Sequence, residues 1–271
     1  MECKVRDIAF AYEDIGSGRP LLILHGWPLD HRHVAADMEP LFVERSGWRR
    51  IYPDLPGFGN TSAPEWLASH DEMLDVVEEF LDAVAPGERF ALAGTSFGGY
   101  LARGLVQRRG EEMDGLLLSV PYFAPNERQG TLPERRVLRE DADFLAALEP
   151  GEEGIREITV MQTVEVLEDQ RRSITAAIPL HDEIFGARMD GHFSFPLELT
   201  RPFPAPTLIV TGRFDQVCGY EDAYRVLGGF PRATYAVLDC AGHALPMERK
   251  GPFRALVDDW LERVEYYAGE R

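Results

Sequence analysis

The chain has 271 residues, 45% of them hydrophobic, and a formal net charge of −18. That length and apolar content suffice for one substantial core, and the acidic balance argues against nucleic acid, whose binding needs basic patches. It also disfavours anionic membrane surfaces, and no stretch reaches the roughly 18 apolar residues of a membrane span.

Three cysteines, Cys3, Cys218 and Cys240, form neither a disulfide framework nor a metal-ligand spacing. The mixed-charge start, Met1-Glu2-Cys3-Lys4-Val5-Arg6-Asp7, lacks the apolar core of a signal peptide. A reducing cytoplasmic setting is the expectation. No metal and no cofactor are expected, and the expected oligomeric state is a monomer or homodimer. The nearest approach to a metal cluster, His31-Arg32-His33, has its two histidines two apart at a helix start, where they do not share a face. They are read as surface residues.

The segment from Lys4 to Ile15 alternates apolar and charged residues, as early antiparallel strands do. Leu21–Leu24 is an apolar strand ending in His25-Gly26-Trp27-Pro28. Arg50–Pro53 is another, running into Asp54-Leu55-Pro56-Gly57-Phe58-Gly59, a turn in which Asp54 is structural. Leu74, Val77 and Leu81 fall at helical spacing. Phe90–Ala93 then leads into Gly94-Thr95-Ser96-Phe97-Gly98, and a helix-patterned stretch follows from Tyr100 to Val106.

A serine between a strand and a helix sits on a sharp turn with its hydroxyl thrust outward, and the flanking glycines avoid a clash across that turn. The helix aims unpaired N–H groups at whatever oxygen gathers beside the hydroxyl. Such an arrangement suits attack on a carbonyl. Taken alone, Gly-x-Ser-x-Gly is a loose pattern; strand before and helix after are the context it demands.

A further strand is read at Leu116–Val120. Between Tyr122 and Pro204 the strand–helix alternation stops, and the chain turns charged and helical over 133–148, 154–173 and 180–189. Proline clusters bracket the segment, which reads as a helical cap (122–203) inserted into a core made of 1–121 and 204–271. Phe144, Met161, Phe185 and Phe193 are its candidate substrate-pocket residues, with packing inside the cap as the alternative for each.

Two more strands follow. Leu208–Thr211 ends in Gly212-Arg213-Phe214-Asp215, and Thr234–Leu238 ends in Asp239-Cys240-Ala241-Gly242-His243. A serine nucleophile needs a base, and the base needs a group to orient it. Asp215 and His243 lie just past strand ends, where open α/β sheets gather ligands. Alone, Asp215 could be a helix-capping turn residue and His243 a satisfied histidine. A helix-period run from Phe253 to Leu261 closes the chain, and alternating strands and helices imply a parallel sheet.

Taken together, the five segments around His25, Asp54, Ser96, Asp215 and His243 resemble the α/β-hydrolase fold superfamily over nearly the whole length. The resemblance implies a mostly parallel α/β sheet flanked by helices, with Ser96 as nucleophile, Asp215 as acid and His243 as base. It implies Trp27 and Phe97 as the backbone oxyanion donors. Relatives with an aspartate nucleophile, such as epoxide hydrolases and haloalkane dehalogenases, are disfavoured by Ser96. Cofactor-free haloperoxidases usually carry a basic segment where this chain has Asp54-Leu55-Pro56. Carbon–carbon hydrolases of ring-fission products usually carry tryptophan after the histidine, where this chain has Ala244. Cleavage of a small-molecule ester through an acyl-enzyme is the leading expectation. Carbon–carbon hydrolysis, with Arg103, Arg135 or Arg188 holding a carboxylate, and a non-catalytic ligand-binding role stay open beside it.

Overall fold

Strands whose alternate residues are both apolar can be covered on both faces, and this pattern builds the centre of the molecule. The computed structural model describes residues 1–123, 132–189, 194 and 198–270. In chain order, β1 (Glu2–Val5), β2 (Ile8–Gly16) and β3 (Arg19–Leu24) precede α1 (His31–Met38) and β4 (Trp48–Pro53). Then come α2 (His70–Val84), β5 (Phe90–Thr95), α3 (Phe97–Arg109) and β6 (Met113–Ser119). Every strand expected in this half of the chain is present.

The intervening segment departs from expectation. Its helices are short: α4 (Ala142–Ala147), α5 (Glu153–Ile158), α6 (Val164–Gln170) and α7 (Glu183–Met189). In place of a helix over 133–148, Arg139–Glu140 forms β7, which pairs in parallel with β8 (Met161–Gln162). The expected helix over 154–173 is broken by that pairing, because Val160 and Met161 give their N–H groups to the Glu248 carboxylate instead of a helical carbonyl. Besides the Glu248 bonds, several contacts pack the segment back on the core, these among them. Asp182 N–H donates to Gly57 O, Arg188 donates to Pro64 O and Leu67 O, and Phe185 stacks on Trp27.

The chain closes with β9 (Thr207–Gly212), α8 (Glu221–Arg225), β10 (Ala233–Leu238), α9 (Leu245–Glu248) and α10 (Lys250–Gly269). Eight strands form one sheet in the order β1-β2-β4-β3-β5-β6-β9-β10. The pairs β1/β2 and β2/β4 are antiparallel and the remainder are parallel. Leu22, Leu24, Leu92, Leu116, Leu118 and Ile209 pack on one face with residues of α2 and α3. Their neighbours Leu21, Ile23, Ala91, Ala93, Leu208 and Val210 pack on the other with Phe253, Val257, Trp260 and Leu261 of α10. Each fully buried aliphatic side chain contributes about 1.5–3 kcal/mol, so two filled layers hold the sheet rigid. Because β3, β5, β9 and β10 run parallel, the loops after them emerge along one edge. No described helix is long and apolar enough to cross a membrane.

Candidate active site

Ser96 sits between the last residue of β5 and the first of α3, with φ 52° and ψ −115°. A non-glycine residue held at positive φ carries strain of order 1–3 kcal/mol, which the surroundings must offset. Here its N–H donates to Ser119 O at 3.0 Å, and its carbonyl accepts from Tyr100 N–H at 3.2 Å and Tyr122 N–H at 3.0 Å. The turn closes only with glycine on both sides: a Cβ on Gly94 would stand 2.4 Å from the Gly98 carbonyl oxygen, and one on Gly98 2.3 Å from that of Leu24. Strand and helix are thereby pressed together around the serine.

His243 Nε2 lies 3.1 Å from Ser96 Oγ, and His243 Nδ1 lies 3.0 Å from Asp215 Oδ2. Three groups far apart in the chain thus meet at the sheet edge. The other oxygen of Asp215, Oδ1, accepts the N–H groups of Val217 and Cys218, each at 2.9 Å. The turn-capping role and the orienting role therefore coexist, one per oxygen. Gly212 lets the two carrying loops approach, since a Cβ there would lie 2.3 Å from Gly242 O. Burial pulls the His243 imidazole down, but the Asp215 carboxylate, with Cys218 beside it, outweighs burial and holds its pKa well above 6.5. Such a histidine is a strong proton acceptor.

The loop after β3 abuts the serine: a Cβ on Gly26 would be 3.1 Å from Ser96 Cβ and 3.8 Å from Oγ. Trp27 and Phe97 both line the cavity over Ser96, and neither backbone N–H has a hydrogen-bond partner among the described residues. Two such donors flanking the Ser96 hydroxyl have the arrangement that suits an oxyanion. His25 is fully buried and braces this loop. Its Nε2 accepts the Leu55 N–H at 2.9 Å, which leaves the proton on Nδ1 to donate to Gly26 O at 3.0 Å. Burial lowers its pKa, so it stays neutral and outside proton transfer to Ser96. Asp54 accepts from His31 N–H and Nδ1 with one oxygen and from Asn60 N–H with the other, and so organises the next turn.

A cavity of about 930 Å³ opens over Ser96 and His243. Its walls are Trp27, Leu29, Phe97, Ile155, Ile158, Ile174, Ala187, Met189 and Val217, among others, drawn from the core loops and the inserted segment. Three of the four apolar residues expected there lie elsewhere. Phe144 is fully buried against Ile155 and Leu167 inside the inserted segment, and Phe185 is buried between Trp27 and Phe58. Met161 sits in β8, away from the walls. Phe193 lies outside the described residues. Phe144 and Phe185 gain most by being enclosed on all sides and so become packing, while Trp27 and Phe97 keep a face on the cavity. His33 is a second correction. It is 8% exposed, not a surface residue, and it lines the cavity.

Glu248 gave no signal in the sequence, yet it ties the site together. Its Oε1 accepts Val160 N–H at 2.6 Å and Met161 N–H at 2.9 Å, and its Oε2 accepts Gly242 N–H at 2.6 Å. Among the described residues, two groups have spacing that could hold a cation: Asp215, Cys218 and His243, and Asp30, His31 and Asp54, each with ligand atoms within 4.8 Å. In both, the imidazole already bonds a carboxylate of its own group. That internal satisfaction makes an ion unnecessary to explain either cluster.

A parallel sheet with a strained serine at a strand-to-helix turn, and a histidine–aspartate pair beside it, defines a hydrolase of the α/β class. A family model described as the alpha/beta hydrolase family matches residues 21–258, and the chain belongs to that family. Among its relatives, the AB hydrolase superfamily protein YisY of Bacillus subtilis (strain 168) is 28% identical over 90% of this chain and 92% of its own length. A pimeloyl-[acyl-carrier protein] methyl ester esterase of Aeromonas hydrophila is 28% identical over 97% of this chain and 100% of its own. A 2-hydroxy-6-oxononadienedioate/2-hydroxy-6-oxononatrienedioate hydrolase of Pseudomonas putida is 24% identical over 94% and 92%. The solved alpha/beta superfamily hydrolase from Oenococcus oeni PSU-1 superposes with a TM-score of 0.86 at 26% identity, covering 98% of this chain and 99% of that one.

Proposed function

We propose that the protein is a serine hydrolase that cleaves carboxylic esters of small, mainly apolar molecules. The observation that carries this reading is the unbroken relay from Ser96 Oγ to His243 at 3.1 Å and from His243 to Asp215 at 3.0 Å, under a largely apolar cavity. In the proposed reaction His243 Nε2 takes the Ser96 proton as Oγ attacks the ester carbonyl. The Trp27 and Phe97 N–H groups hold the oxyanion, each such donor being worth about 3–4 kcal/mol in comparable sites. Collapse passes the proton from His243 to the departing alcohol and leaves an acyl group on Ser96. A water molecule, deprotonated by His243, then releases the acid and restores the serine.

The carbon–carbon reading needs a cation in the cavity for a substrate carboxylate, and the walls among the described residues include no arginine or lysine. Arg103 donates to Phe123 O and stacks on its ring, Arg135 donates to Arg156 O, and Arg188 donates to Pro64 O and Leu67 O. None is a wall residue, which favours ester cleavage.

The deciding experiment compares wild type with Ser96→Ala on p-nitrophenyl butyrate. The expected loss in kcat is roughly 10⁵–10⁶-fold with an unchanged circular dichroism spectrum. Undiminished hydrolysis by the variant would remove Ser96 from the mechanism. Labelling of wild-type Ser96 by a fluorophosphonate without turnover of any ester would point to ligand capture instead.

A further inference from the structure

Among the described wall residues, His33 is the one whose chemistry the ester mechanism does not use and whose own polar needs the fold leaves unmet. It lies on the first turn of α1, 8% exposed, within the cavity wall beside Leu29. Its neighbours on α1 bond elsewhere: His31 bonds Asp54, and Arg32 forks onto Asp30. The His33 ring bonds nothing among the described residues, and its Nδ1 is fully buried without a partner. Orphaned buried polar atoms are uncommon because each forfeits a hydrogen bond that water supplied in the unfolded chain. With Nδ1 closed off, Nε2 is the nitrogen left to reach the cavity. Burial, reinforced by His25 and His243 nearby, pushes the imidazole pKa down to about 3, so the ring is neutral. A neutral imidazole carries one N–H. Placing the proton on Nε2 leaves only a lone pair buried at Nδ1, the cheaper of the two orphans.

The rest of the wall narrows what this donor can meet. Glu152 is already paired with Arg171, Glu183 is exposed, and no arginine or lysine is present among the described wall residues. An anionic group would find no countercharge there, and a purely hydrocarbon ligand would leave the Nε2–H unsatisfied. We propose that His33 is a specificity residue whose Nε2–H donates to an uncharged acceptor oxygen, keto, ether or hydroxyl, carried by the ester substrate away from the scissile bond. This inference rests on the ester-hydrolase reading and names the substrate class for that same cavity.

The experiment uses the full chain and two substrate pairs: methyl 4-oxopentanoate against methyl pentanoate, and 2-methoxyethyl butyrate against butyl butyrate. Each pair differs in one acceptor oxygen, on the acyl side in the first and the alcohol side in the second. Proton release in a pH-stat gives kcat/KM for each. Wild type should prefer the oxygen-bearing member of at least one pair. His33→Phe, which keeps an aromatic ring, should reduce that preference by about ten-fold or more, and His33→Gln should restore part of it. Because the readout is a ratio of two substrates on one enzyme, a general loss of folded protein cancels. His33→Leu serves the same comparison if the phenylalanine variant does not fold. A preference absent from wild type, or unchanged in the apolar variants for both pairs, overturns the role of His33. Failure of folded wild type to cleave any of the four esters sinks the ester reading itself, and this inference with it.

Discussion

Glu248 Oε2 accepts the Gly242 N–H at 2.6 Å, one residue before His243, while its other oxygen holds the N–H groups of Val160 and Met161. A single carboxylate thus ties the histidine loop to the start of β8. Three charge-assisted bonds onto one half-buried carboxylate are worth more than three neutral ones.

Glu248→Gln should disrupt this clasp, because an amide offers one acceptor oxygen and turns its NH₂ toward an N–H. The expected outcome is a Tm lowered by roughly 3–6 °C and a kcat lowered by about ten-fold, with KM changing as well. Thermal melts and steady-state kinetics check it. Wild-type values in both would mean that the clasp is incidental.

In the proposed mechanism His243 must be neutral to accept the Ser96 proton, and Asp215 raises its pKa well above 6.5 despite burial. The acid limb of kcat/KM should therefore fall above pH 6.5, with activity rising as pH increases through it. Asp215→Asn removes the charge that raises the pKa, so the limb should move to lower pH while kcat drops roughly 10⁴-fold. A limb that stays put in the variant would assign the titration to another group.

Gly212 faces Gly242 O so closely that any Cβ, 2.3 Å away, would force the two loops apart. Gly212→Ala should cost about 1–3 kcal/mol and lengthen the His243–Asp215 contact. Denaturant titration and the rate on a simple ester measure the two consequences. Unaltered stability would show that the loops yield freely.

Asp37 on α1 is raised from 3.8 to about 7, first by burial and then by Asp169, against the lowering pull of Arg254 and Lys250. The folded chain holds a proton there that the unfolded chain releases. The stability from that proton is complete below pH 3.8 and is lost as pH rises through 7. Asp37→Asn, neutral throughout, should melt higher than wild type at pH 8 by about 3–6 °C, and the gap should shrink by more than half at pH 5. Equal melting temperatures at pH 8 would remove the buried charge from the balance.

Much of this molecule was written locally. Leu21–Leu24, Phe90–Ala93 and Leu208–Thr211 declare themselves as strands because burial on both faces demands unbroken apolar runs. Ser96 declares itself because its turn tolerates nothing but glycine at Gly94 and Gly98. Asp215 and His243 could be picked out by their place after strands. The inserted segment was not legible to the same degree. Its helices stop where Met161 and Gln162 find a strand partner 22 residues back, and helical periodicity carries no trace of that pairing.

What local pattern could not decide was which side of an interface each residue would face. Phe144 and Phe185 look like pocket walls in sequence, and His33 looks like surface, yet packing encloses the first two and turns the third into the wall. The distance from Ser96 to His243, 147 positions along the chain, and the grip of Glu248 on Gly242 likewise arise only once the parallel sheet brings its strand ends to one edge. Hydrophobic period and turn chemistry act over a few residues and are readable there. Enclosure and hydrogen-bond geometry between distant loops depend on every layer packed around them, and so they belong to the folded whole.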